Sequence, residues 1–100
     1  MKDNTSNENE QKYIVRSRGA GVFYARIAER RGQEADLLDA RRLHYWTGAA
    51  SLSQVAMDGV RDGSRLTVAV PSMTVLEVLE VIPVSEKAHK CLEGFPEWKV

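Results

Sequence analysis

Arg41, Arg42, His44, Tyr45 and Trp46 crowd into one short run, and Gly48, Ala50 and Ser51 follow directly. A guanidinium carries its donors in a planar fork that fits carboxylate or phosphate. Tyr and Trp rings stack on flat π-systems such as nucleobases. Ser51 and Gln54 stand at the spacing of a capping box, so a helix is expected to begin there, with its first amides and positive dipole end open to an anion. The combination describes a small nucleotide-type pocket built from Arg41, Arg42, His44, Tyr45, Trp46, Gly48, Ala50 and Ser51. The competing structural use is equally concrete: Leu43, Tyr45 and Trp46 in the core, the arginines paired with Asp36 and Asp39, and Ser51 with Gln54 satisfying the helix amides.

No second constellation rises beside it. His44 and His89 are far apart, have no partnered serine and show no metal-ligand spacing, so each reads as a surface or half-buried polar residue. Cys91 is the only cysteine, which rules out an internal disulfide, and it falls on the inward stripe expected of the last helix. Glu77 and Glu80 point to opposite faces if their segment is a strand. Nothing implies a cofactor or a metal, and no nucleophile, base and oxyanion set can be assembled, so the expectation is a non-enzyme.

The elements that must position these residues follow from periodicity. Residues 1–12 have no apolar residue after Met1 and are expected to form a disordered tail. Residues 13–100 then make one domain. Alternation from Tyr13 predicts a short strand, broken at Gly19, Ala20 and Gly21. A second strand over 22–29 sets Val22, Tyr24, Arg26 and Ala28 against Phe23, Ala25, Ile27 and Glu29 on its other face. Gly32 supplies the hairpin turn, and a third strand from Glu34 bends near 38–40, where adjacent Leu37 and Leu38 break the alternation. A further strand over 41–47 leads to the glycine turn and a helix over 51–59. Residues 65–70 read as a strand that Pro71 ends. Residues 74–84 can be phased as helix or strand, and four valines with one isoleucine favour strand. Ser85 caps a second helix over 85–93, and Phe95, Pro96 and Trp98 are expected to pack back on the sheet. The fold class is therefore α+β, a mainly antiparallel twisted sheet or small barrel with two short helices.

Bulk properties narrow the partners. With 43% hydrophobic and 28% charged residues the composition is that of a soluble globular domain. No apolar run is long enough to span a membrane and none resembles a signal peptide, so a cytoplasmic location and no membrane partner are expected. Net charge is zero, yet residues 13–73 use nine arginines and no lysine against six acids. That is too balanced for a non-specific duplex binder, so nucleic acid ranks low.

The segment RRLHYWTGAASLSQVAMDGV, residues 41–60, resembles an uncharacterised family of small proteins encoded by bacteriophages and prophages. The likeness extends over roughly residues 13–100. It includes an AGVF-like second strand, an ARRL-aromatic-YW-GAASLSQ segment, a TEVIE-like apolar strand and a closing PxW. This chain departs from it at His44, where a bulky aromatic is common, and in VLEVLEV, where TEVIE is usual. The resemblance implies genetic context, a dispensable or accessory phage gene acting in the host cytoplasm, and carries over no site residues. With it, the expected function is non-catalytic binding of a host factor or ligand, such as a phosphorylated small molecule, in interference with host defence. A protein-interaction module that self-associates is the alternative, and nucleic-acid binding comes third.

Overall fold

The computed structural model describes residues 10–100. The tail expected over 1–12 lies outside the described residues as far as residue 9. Its end is tied down: Gln11 Nε2 donates to Val84 O at 3.2 Å, and Lys12 is buried with its carbonyl accepting from Val84 N. Strands β1 (Tyr13–Ser17), β2 (Gly21–Arg31) and β3 (Glu34–Tyr45) form a continuous antiparallel meander. Gly32, at φ +59°, makes the tight turn between the last two. The expected bend is present: Asp39 sits at φ +50°, and the β2–β3 register shifts between Tyr24 and Arg26. Arg26 closes an ion pair with Asp39 across it. The bend does not end the strand, however. The separate strand expected over 41–47 is the second half of β3, which keeps its pairing to β2 through Arg42.

Helix α1 (Leu52–Asp58) and strand β4 (Arg65–Leu66) follow. The strand expected over 65–70 is thus only two residues long, and Pro71 lies inside the next strand, β5 (Val70–Val75). Its place explains the tolerance. Leu38 pairs with Ser72 and Ala40 with Val70, which sets Pro71 opposite the Asp39 bulge, where the lost N–H breaks no ladder bond. Strand β6 (Val78–Pro83) and helix α2 (Glu86–Glu93) complete the chain.

Residues 74–84 are extended, as their valines favour, but they belong to two strands separated by Leu76 and Glu77, with Glu77 at φ +53°. The break decides the architecture. β5 pairs with β3 at one side of the sheet, while β6 pairs with β1 at the other, so two residues join opposite edges. The sheet must curl to permit this. Ser17 Oγ donates to Leu76 O at 2.6 Å, Arg18 N to Glu77 O at 3.0 Å, and Val78 N to Gln33 O at 2.8 Å, which pin the bend across the opening.

Curling creates two cores. Val15, Phe23, Ala25, Ala35, Leu37, Ala40, Val75 and Val78 fill the concave interior. Ile14, Tyr24, Leu43 and Leu66 face the other way and are covered by Val55 and Ala56 of α1 and Ala88 and Leu92 of α2. Alternation therefore buries both faces of β1 and β2, and the two short helices supply the second cover. Each helix opens on a serine: Ser51 Oγ accepts from Gln54 N, and Ser85 Oγ from Ala88 N. Ser85 Oγ also donates to Met57 O at 2.6 Å, tying the start of α2 to the end of α1.

Candidate functional site

The crowded stretch is dispersed by the strand it occupies. Arg41 and Arg42 take opposite faces of β3. Arg41 is only 5% exposed, and its fork is spent on backbone carbonyls. Nε donates to Thr67 O at 2.9 Å and Nη1 to Leu92 O at 2.8 Å, while Nη2 reaches Leu66 O at 3.3 Å and Pro96 O at 3.4 Å. It clamps β4, the end of α2 and the C-terminal segment together, with each of its three nitrogens engaged by a carbonyl on the face of β3 away from Arg42, so the two arginines share no pocket. Arg42 is exposed and lies over the buried Phe23 ring at 4.7 Å. Neither arginine pairs with Asp36 or Asp39, whose ion-pair partners are Arg31 and Arg26.

The helix-start residues are occupied too. Gly48, at φ +87°, lies under Arg61, whose Cγ would stand 2.4 Å from an added Cβ. Ala50 N donates to Gln54 Oε1 at 2.8 Å, one residue earlier than an ideal capping box, and Ser51 caps Gln54. Helix α1 has just 7 residues, so it offers little dipole to an anion. Trp46 is half-buried against the helix-side core.

His44 and Tyr45 do come together with other groups, and these were not legible as partners. The His44 ring stacks on Trp98 at 4.7 Å and 15°. The Arg65 guanidinium stands 5.3 Å from the Trp98 ring and 5.9 Å from Tyr45. Tyr45 is 52% exposed, so the competing use that set it in the core is corrected, whereas the closing segment does pack back on the sheet as expected, with the Trp98 ring left 43% exposed. The cause is local: Trp98 N donates to Leu66 O, fixing the C-terminal segment beside β4 with its indole above His44, while Phe95 takes the core position. No ion pair engages Arg65 among the described residues. Exposed aromatics and arginine are the residue types in which binding surfaces are enriched.

A second constellation joins residues that sequence reasoning set aside. Tyr24 is completely buried, yet its hydroxyl donates to Glu93 Oε1 at 2.8 Å and lies 2.6 Å from His89 Nδ1. Lys12 Nζ is 3.3 Å from the same Glu93 oxygen and 4.6 Å from the centre of the Tyr24 ring. Burial, followed by the bond and charge of Glu93, drives the Tyr24 hydroxyl far above the ordinary phenol range. Burial would also raise Glu93, but the Tyr24 hydroxyl and the Lys12 ammonium outweigh it and hold the carboxyl below its usual value. A cleft of about 350 Å³ opens beside His89, lined by Glu10, Gln11, Lys12, Val84 and Glu86. The only sequence signals were a tyrosine between Val22 and Arg26 on one face of β2 and the i, i+4 spacing of His89 and Glu93.

A curled antiparallel sheet backed by two short helices, with one aromatic surface and one buried polar relay, defines a small α+β domain. The chain belongs to the family described as domain of unknown function DUF6948, whose model matches residues 10–92. That segment takes in both clusters except Glu93 and Trp98. No curated protein matches the chain, and no solved structure does. Among the described residues no helix is long and apolar enough to cross a membrane, and no group of three or more His, Cys, Asp or Glu could hold a metal.

Proposed function

We propose that this protein is a phage-encoded accessory module that acts in the host cytoplasm by binding a flat, phosphorylated ligand of the nucleotide class. The observation that carries it is Arg65, held over the exposed Tyr45 and Trp98 rings with no carboxylate among the described residues to neutralise it. A base stacking on Trp98 or Tyr45 gains a π-contact, and its phosphate gains a cation already held in place. The phage context rests on the resemblance of residues 41–60, and sequestering a phosphorylated signal is how such a module would blunt a host defence.

Titration calorimetry against mono-, di- and cyclic nucleotides tests it. Saturable binding is expected, weakened by about 1–3 kcal/mol in Trp98→Ala and in Arg65→Ala. Nucleosides lacking phosphate should bind more weakly. Binding that survives both substitutions, or no binding at all, removes the site.

Self-association is the alternative favoured by a separate observation: Leu76 and Leu79 are 56% and 40% exposed beside the bend that joins β5 to β6. Light scattering over a dilution series decides it, a monomer at every concentration counting against. Pro71 in β5 and Pro83 in β6 interrupt the free edges of those strands, which makes edge-to-edge pairing the less favourable geometry.

A further inference from the structure

The cleft beside α2 shares no lining residue with the nucleotide surface, and its chemistry follows from counting protons. Tyr24 has one hydroxyl proton. Glu93 is ionised and can only accept, so that proton lies on the 2.8 Å line to Oε1. The 2.6 Å contact between Tyr24 Oη and His89 Nδ1 is then a hydrogen bond only if Nδ1 carries the proton and Oη accepts it. In the neutral ring Nε2 is left with its lone pair. No described residue engages it, and the half-buried ring lines the 350 Å³ cleft.

We propose that this cleft is an acid–base site, in which His89 Nε2 takes the proton of a small hydroxyl- or thiol-bearing ligand while Tyr24 and Glu93 hold the imidazole in the tautomer that allows it. In the step, the ligand's O–H or S–H bond breaks, its electron pair stays on the heteroatom, and the proton bonds to Nε2. The imidazolium so formed keeps its Nδ1–H on Tyr24 Oη, and Glu93 answers its positive charge through the hydroxyl. No proton need leave Tyr24. Lys12, Glu10 and Glu86 are the charged residues that line the cleft with His89, and Glu93 lies beyond the Tyr24 hydroxyl. Tyr24 and Glu93 are positioning residues, and His89 alone touches the ligand.

A purely structural network would pin α2 to β2 without requiring a free nitrogen in a cleft, and the two roles separate experimentally. Hydrolysis of p-nitrophenyl acetate is the probe: Nε2, or water it deprotonates, attacks the acetyl carbon, p-nitrophenolate leaves with the C–O electrons, and water returns acetate. The protein should exceed free imidazole at equal concentration by about tenfold or more, and His89→Gln should abolish the excess. Nitrogen-detected NMR of the neutral ring should place the His89 proton on Nδ1. Glu93→Gln, at the exposed end of the relay, should move it toward Nε2 with the backbone spectrum retained, and Tyr24→Phe should do so fully where it folds. A rate no greater than free imidazole, a rate unchanged in His89→Gln, or a proton on Nε2 in the unaltered protein each overturns the proposal. None of these outcomes depends on nucleotide binding at Trp98.

Discussion

Arg41 and Arg42 are adjacent and chemically identical, yet their removal should differ several-fold in cost. Arg41→Met keeps much of the side chain's length and deletes every donor. A hydrogen bond from a charged donor contributes about 1.5–3 kcal/mol, so the two short bonds at 2.8 and 2.9 Å set a ceiling of about 3–6 kcal/mol. Two features lower it. The variant no longer buries a guanidinium, whose burial already pushes its pKa downward against the pull of Glu97 and Glu93. Leu92 O also accepts from Phe95 N at 3.4 Å and Leu66 O from Trp98 N at 2.8 Å, so Thr67 O and the more distant Pro96 O are the carbonyls that lose their donor. A net loss of about 3 kcal/mol results, a large share of the ~5–15 kcal/mol typical of a domain. Arg42→Met gives up one exposed cation–π contact and should cost less than about 1 kcal/mol. Urea denaturation measures both, with the midpoint falling and the slope unchanged. An Arg41→Met cost below about 1 kcal/mol, or one equal to that of Arg42→Met, would refute the clamp.

Three further expectations concern stability. Gly59 sits at φ +83° and ψ −156°, where an added Cβ would stand 2.7 Å from Cys91 Sγ, so Gly59→Ala should cost at least about 2 kcal/mol. Adding Cys91→Ala should recover only a fraction of the steric part, because Cys91 Cβ would still stand 2.8 Å from the added atom, and none of the backbone strain, as thermal melts of the single and double variants will show. Ser85→Ala removes both the cap on α2 and its tie to Met57 O, for about 1–2 kcal/mol in the same assay. Glu93 and Asp36 both have lowered carboxyl pKa values in the fold: Glu93 because Tyr24 and Lys12 overcome its burial, Asp36 through bonds from Arg31 and then Thr74. The stability they add is therefore complete above the ordinary carboxylate range and is lost as pH falls through the lowered folded values. Glu93→Gln should be less stable than the parent at neutral pH and show a shallower decline in acid; a parallel pair of pH–stability curves would sink the assignment.

Much of this protein was determined by local sequence. Alternation placed β1 and β2 and both of their buried faces, Gly32 placed the hairpin, Leu37 and Leu38 betrayed the bulge, and Ser51 and Ser85 marked both helix starts, because each signal acts within a few residues. Arg41 and Arg42 had to part company for the same reason, since a strand's side chains alternate. Tertiary structure decided what alternation cannot encode. The valine-rich stretch 74–84 satisfies one strand or two equally well, and only closure of the curled sheet requires the break at Leu76 and Glu77. Pro71 reads as a terminator until its partner is known to be a bulge. Lys12 and Tyr24 lie 65 or more residues before His89 and Glu93, and beyond the i, i+4 spacing of that last pair no periodicity links them. Packing α2 across β2 buries a phenol whose hydroxyl must find partners, and that long-range demand assembles the relay. His44 and Tyr45 were visible from the start as residues able to stack; Trp98 and Arg65, which give them something to stack with, arrive only when the chain folds back beside β4.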